Sequence, residues 1–268
     1  MKQLAQLIRR VIYTFLELLD RVFSVEIPKV IILCYHGIGK SGWQYDVSFE
    51  NFTKQIDLLL TVRKPIQLAD LYSYLNGNKD ILYPSFVITF DDGYKSVMLA
   101  REYLNSKMIT PCLFLISHVE NVSRDELGTE SPFLTPNNIK ELIGDGWEIG
   151  SHGAMHPDFN KITSNEALFE INESKKKLEK STNSEVKYFA FPRGRYSNSI
   201  LEKVKMSGYR LGLTMDDSLI TTLTNPLKVP RIGIDNSHQL IEFKGTFTPS
   251  VIKLRKFLKK YNLNNIYG

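Results

Sequence analysis

Ser85–Gly93 reads SFVITFDDG, an unbroken apolar run that stops abruptly at two adjacent acids and a glycine. So short an apolar run, rich in β-branched residues, predicts a strand buried on both faces. The style recurs in KVIILCYH (29–36), TPCLFLIS (110–117), WEIGSH (147–152), VKYFAFP (186–192) and YRLGLTM (209–215). Helical patterns lie between these runs. FENFTKQIDLLLTV (49–62) carries Phe52, Ile56, Leu59 and Leu60 on one face. LTPNNIKELIGDG (134–146) offers Thr135 as N-cap, Pro136 at the first helical position and Gly144 or Gly146 after the end. Residues 163–180 and 197–208 are also helical in pattern, the second closed by Gly208. Strand–helix alternation over most of the chain predicts a parallel sheet or barrel, an α/β fold with chemistry at the C-terminal ends of the strands. The turn-rich segment 117–133 is the long loop candidate.

The composition is that of an ordinary globular protein: 268 residues, 43% hydrophobic and 24% charged. Such a chain buries a core without staples. A net charge of +5 comes from 34 basic and 29 acidic residues, with no basic tract beyond KKK at 175–177, so no nucleic-acid partner is expected. Cys34 and Cys112 sit inside apolar runs, as buried structural cysteines do, and no disulfide framework is readable. The N-terminal MKQLAQLIRRVIYTFLELLDRVF (1–23) has no uncharged run long enough for a signal-peptide core or a bilayer span. Its apolar residues repeat at helical spacing and give one broad face. Three readings stand: a helix docked on the domain, a helix on a membrane surface with Lys2, Arg9 and Arg10 toward lipid phosphates, or a partner-binding helix. The expected organisation is an amphipathic helix over 1–27 and one catalytic domain over 28–268. The expected location is cytoplasmic, with peripheral contact at the inner membrane face through residues 1–23.

Four strand ends carry polar groups that a barrel would bring together: Tyr35-His36, Asp91-Asp92-Gly93, His152 with His156, and Pro192-Arg193-Gly194. Two histidines four apart match the spacing of a zinc helix, but Gly153 occupies the glutamate position, and Gly150 and Pro157 disfavour a helix. The pair therefore sits on a strand end and the turn after it, either as structural histidines or as metal ligands. Two adjacent acids after a buried strand need partners. Successive residues point different ways, so one carboxylate could bind a metal while its neighbour faces substrate. The alternative is a helix N-cap for YKSVMLAREYL (94–104).

TFDDG, followed about 60 residues later by EIGSHGAMHP (148–157), resembles the polysaccharide deacetylase family, also called NodB-homology or carbohydrate esterase 4. FAFPRGRY (189–196) resembles its third motif, and the likeness covers roughly residues 29–235. It implies a distorted (β/α) barrel, here with an added N-terminal helix. Carried over residue by residue, Asp91 is the general base, and Asp92, His152 and His156 hold a divalent metal, zinc first, with cobalt, nickel or manganese as alternatives. A three-ligand site leaves a position for water, whose pKa the metal lowers. The Arg193 backbone N–H is expected to hold the oxyanion. The early Tyr-His after the first strand resembles the subgroup that deacetylates poly-N-acetylglucosamine, which makes His36 the general acid ahead of His238. The common third motif carries an arginine where this chain has Ala190, so Arg193 or Arg231 must supply that charge, with Arg231 favoured. A fourth motif is weak: Asp216 and Asp217 have no tryptophan nearby. Trp43 and Tyr45 are candidates to stack on a sugar ring. The implied activity is removal of N-acetyl groups from a sugar within a polysaccharide or a lipid-linked glycan. An O-acetyl esterase and a non-catalytic glycan-binding protein are the alternatives.

Overall fold

In a computed structural model, residues 2–261 are described, with the side chains of residues 2 and 3 left aside. The strands are β1 (Val30–Tyr35), β2 (Gly37–Ile38), β3 (Asp46–Val47), β4 (Lys64–Pro65), β5 (Ser85–Phe90), β6 (Cys112–Leu115), β7 (Glu148–Ser151), β8 (Tyr188–Ala190), β9 (Leu211–Thr214), β10 (Val229–Pro230) and β11 (Ile232–Gly233). The helices are α1 (Lys2–Val22), α2 (Phe49–Val62), α3 (Leu68–Leu75), α4 (Met98–Ser106), α5 (Arg124–Leu127), α6 (Pro136–Gly144), α7 (Ser164–Thr182), α8 (Asn198–Met206), α9 (Leu240–Thr246) and α10 (Pro249–Lys260).

The main sheet runs β10-β9-β8-β7-β6-β5-β1-β11, every pair parallel, with β4 added beside β5. β10 and β11 are separated only by Arg231, so one extended segment pairs with β9 on one side and β1 on the other. The sheet thereby becomes a nearly closed barrel with helices around it. Side-chain alternation sorts the strand residues into two clusters. Ile31, Leu33, Tyr35, Phe86, Ile88 and Phe90 face the helices, packed with Phe52, Ile56 and Leu59 of α2. Val30, Ile32, Val87, Cys112, Phe114, Ala190 and Leu213 fill the interior. Gly150 is paired with Phe114, whose ring lies 2.3 Å from where a Cβ would stand. A side chain there would push Phe114 out of the barrel.

The expected caps form. Thr135 accepts from the Asn138 N–H, Pro136 opens α6, and Gly146 follows the helix end with φ +89°. The 117–133 loop contains two short helical turns, at Val119–Asn121 and Arg124–Leu127. The N-cap alternative for Asp91-Asp92 does not hold: helical structure begins at Lys95, capped by Tyr94, and continues into α4.

α1 packs on α9 and α10, and it does so with its polar face. Arg9 donates to the Ser237 carbonyl and Oγ, both at 2.9 Å. Arg10 pairs with Glu242, which is fully buried. Asp20 accepts from the Ser250 N–H at 2.9 Å, and Tyr13 lies against Gly245. Arg9 and Arg10 are therefore committed to the domain and do not face outward, as the membrane-surface reading required. Buried Glu242 explains the reversal, since an acid taken out of water needs a cation beside it.

Candidate active site

The alternation that fills the barrel also selects which polar residues point inward at its C-terminal end. Asp91 continues the inward set of β5, His36 that of β1, and His152 that of β7. Asp92, His156 and Arg193 escape the alternation by another route. Each has a left-handed backbone, with φ of 67°, 59° and 57°. Of the six described non-glycine residues with positive φ, these three are the ones at the site, and such strain is held only where surrounding structure fixes it. Gly93 and Gly194 directly follow Asp92 and Arg193, and Gly153 directly follows His152, all three with positive φ, and a Cβ on Gly194 would stand 2.6 Å from the Met215 Cβ.

Asp92 Oδ1 lies 3.4 Å from His152 Nε2 and 3.5 Å from His156 Nε2. The three ligand atoms lie within 4.8 Å of one another, and all three residues are buried. Asp92 Oδ1 has no hydrogen-bond partner, although it is buried. The His152 Nδ1 is 2.8 Å from the Ala190 carbonyl, which fixes that nitrogen as the N–H and turns the Nε2 lone pair to the site. Burial, and then the neighbouring Asp91 charge, pushes the Asp92 carboxyl up to about 8. Burial holds both histidines below their usual range, His156 well below it, with the His152 charge adding to that effect. Two neutral imidazoles and a carboxylate lacking a counter-charge fit a divalent cation of the zinc type.

Asp91 stands in the opposite condition. Arg231, fully buried, donates to Asp91 Oδ1 and Oδ2, each at 2.7 Å, and to Thr89 Oγ1 at 3.2 Å. Burial would raise Asp91, but the charges of Arg231 and His152 outweigh it and hold the carboxyl well below the usual range. Ala190, standing where the resemblance expects an arginine, lends only its carbonyl to His152. Arg193 turns away to Glu126, 2.8 Å distant in the loop.

His36, Cys34 and Asp91 form a second group with ligand-type atoms within 4.8 Å of one another. Burial lowers His36 to about 4, against the pull of Asp91 in the other direction. Its ring lies 5.0 Å from Tyr45 and 5.9 Å from Trp43, which in turn meets Tyr94 at 5.1 Å. All the expected site residues except Arg231 line one open cleft of about 1190 Å³, Arg231 lying beneath it. His238 is elsewhere: its Nδ1 is 2.8 Å from Asp235, and it lines a separate chamber of about 320 Å³ between α1, α10 and His36. Asp216 accepts from the Tyr196 hydroxyl, and Asp217 pairs with Arg255 at 2.9 Å, so both acids are engaged away from the metal ligands.

One positioning residue escaped the sequence reading. Glu170 of α7 is 3% exposed and accepts the N–H groups of Ala154 and Met155 at 2.7 and 2.8 Å. It holds the turn between the two histidines. The signal was available, because Glu170 falls on the same helix face as buried Ala167, Ile171, Ser174 and Leu178.

A family model described as Polysaccharide deacetylase matches residues 81–212, which include both halves of the aspartate–histidine constellation. The chain belongs to the polysaccharide deacetylase family. Among its relatives in that family, YxkH of Bacillus subtilis (strain 168) is 25% identical over 205 residues, covering 70% of this chain and 65% of its own. The poly-beta-1,6-N-acetyl-D-glucosamine N-deacetylase of Staphylococcus aureus (strain MRSA252) is 25% identical over 207 residues, covering 72% of this chain and 69% of its own. The chain thus spans about two thirds of the length of these curated relatives. The crystal structure of BC0361, a polysaccharide deacetylase from Bacillus cereus, is 26% identical, covers 82% of this chain and 69% of that one, and superposes with a TM-score of 0.67.

Proposed function

We propose that this polysaccharide deacetylase is a metal-dependent N-deacetylase that hydrolyses the acetamido group of an N-acetylated sugar, within a polysaccharide or a lipid-linked glycan. The observation that carries the reading is the split between two adjacent aspartates, one held ionised by a buried arginine and the other left with two histidines and no counter-charge. Asp92, His152 and His156 would hold the metal, zinc by the chemistry of the donors, and the metal supplies Lewis acidity toward the acyl carbonyl and toward water. Asp91 acts as general base. Arg231 holds its carboxyl well below the usual carboxylate range and so keeps it in the accepting form at neutral pH, at the cost of proton affinity.

His36 is the general acid toward the departing amine. A neutral imidazole at working pH has no proton to spare, so His36 acts after collecting one, and its ring nitrogen lies within 4.8 Å of an Asp91 oxygen. The backbone N–H of Arg193 is assigned to the oxyanion, and its side chain anchors the turn through Glu126. Trp43 and Tyr45, in the cleft wall beside His36, are assigned to the sugar ring. Residues 28–268 form the catalytic unit, and residues 1–27 an attached segment giving peripheral contact at the inner face of the cytoplasmic membrane. Among the described residues, no helix is long and apolar enough to cross a membrane.

The test is acetate release from N-acetylglucosamine oligomers of several lengths and linkages and from an O-acetylated sugar, with and without chelator. The expected result is chelator-sensitive release from the amides and none from Asp91→Asn. Equal release by wild type and Asp91→Asn overturns the mechanism, release from the ester alone makes the protein an esterase, and no release from any substrate favours glycan binding without turnover.

A further inference from the structure

α1 is amphipathic, yet it is docked inside out. Leu4, Leu7, Val11, Phe15, Leu18 and Val22 recur every three or four residues along one face of the 21-residue helix and are between 56% and 66% exposed. This makes an apolar stripe about 30 Å long. The opposite face is fixed to the domain by Arg10–Glu242 and by Asp20 on Ser250. The helix cannot roll to bury its stripe without stranding Glu242, which has no exposure of its own.

The neighbouring helices extend the surface. On α9, Glu242 and Gly245 face α1, and Ile241, one turn before Gly245 on the helix surface, is 57% exposed. On α10, Ser250 and Leu254 face α1, and Phe257 and Tyr261 follow on the same side, 55% and 54% exposed. Charge supplies the second observation. Residues 240–261 carry six basic residues and a single acid, the buried Glu242. Lys244 and Arg255 pair with Glu17 and Asp217, Lys256 and Lys259 reach Ser218 and the Met215 carbonyl, and Lys253 and Lys260 are exposed. On α1 the acids Glu17 and Asp20 are turned inward, while the side chain of Arg21 is 64% exposed. Glu26, past the helix end, is exposed, and beyond it Asp80 pairs with Lys29.

We infer that the outer stripe of α1, flanked by Ile241, Phe257 and Tyr261 and rimmed by Lys253 and Lys260 of α10, is a docking surface for an anionic lipid bilayer. This deepens the peripheral-membrane reading above and rests on it. It also changes the residues responsible, because the cations come from α10 and not from Arg9 and Arg10. Apolar burial at the headgroup boundary supplies the attachment, and each lysine near the surface adds attraction to anionic lipid. The inner face of α1 contributes Arg9, Ile12 and Tyr13 to the chamber that opens on His36. A bilayer on the outer face would therefore lie about one helix diameter from the approach to the cleft, within reach of a substrate carried by the same membrane.

The full-length protein is to be co-sedimented with vesicles of phosphatidylcholine alone and of phosphatidylcholine with phosphatidylglycerol. Binding is expected to the anionic vesicles. It should fall about tenfold or more in V11E/F15E and by about tenfold in K253E/K260E, with wild-type melting in both because all four sites are exposed. Equal binding to both vesicle types, untouched by K253E/K260E, overturns the anionic-surface inference while membrane contact stands. Absence of binding to either vesicle overturns both. A dimer in solution that V11E/F15E dissociates, with no vesicle binding, assigns the stripe to a second copy of the chain and overturns the inference.

Discussion

Two acid–histidine clusters sit one residue apart and differ in how their charge is balanced. Around Asp91, the protein supplies its own cation: Arg231 is buried, bidentate and covalently part of the fold. Around Asp92, it supplies none, and the carboxyl rises to about 8 with one oxygen unpartnered. Adjacent residues in sequence thus have opposite requirements. One cluster is complete without ligands and exists to keep a carboxylate ionised. The other has the donors of a cation site and no cation of its own. The left-handed backbone at Asp92 is what separates them, by turning the second carboxylate out of the alternation that places the first.

Breaking the open cluster carries the largest effect. His152→Ala or Asp92→Asn is expected to lose bound metal, read by elemental analysis after dialysis, and with it all chelator-sensitive turnover. Metal retained in full by either variant would remove the distinction between the clusters. Breaking the closed cluster at its acid comes next. Asp91→Asn should keep the metal while kcat falls by about 10²–10⁴-fold, the usual worth of a general base.

Removing the cation sharpens the comparison. Arg231→Gln leaves Asp91 buried and unpaired, and denaturant unfolding should report a loss of about 3–5 kcal/mol. The variant also bears on pH. Arg231 lowers the Asp91 pKa, so its removal raises it, and the accepting form is then lost at higher pH. The acid limb of kcat/KM should move upward by about 1–3 pH units in Arg231→Gln. An acid limb that stays in place would mean that Asp91 does not set it. The smallest effect is expected at the hinge of the open cluster. Glu170→Gln weakens the hold on the Ala154–Met155 turn, and metal affinity should fall by about 10–100-fold with Asp91-dependent chemistry otherwise intact.

How much of this was readable beforehand depended on periodicity. The barrel strands announced themselves as short apolar runs, and the polar residue ending each run located the site, because alternation along a strand is a local property. Asp92 and His156 were legible only as residue types in a motif. Their positions depend on positive φ values, which no side-chain pattern encodes. Glu170 was overlooked because a glutamate on a helix is ordinarily solvated, and its burial depends on a turn about 15 residues away in the chain. The docked face of α1 was not legible for a related reason. The hydrophobic pattern defines two faces, but which one docks was decided by Glu242, more than 200 residues downstream. Arg231 illustrates the same limit: only closure of the sheet shows which of several arginines reaches the base.

The segment Val229–Gly233 joins the two free edges of the sheet, with Arg231 at its centre. Arg231 stands 140 residues beyond its partner in the chain. A nascent protein therefore possesses all three proposed metal ligands long before it has the arginine that pairs with the proposed base. Until that last strand is laid down, Asp91 lacks its cation. On the proposed mechanism activity reports on completion of the fold, and a chain truncated before residue 229 is expected to keep the three proposed ligands and release no acetate.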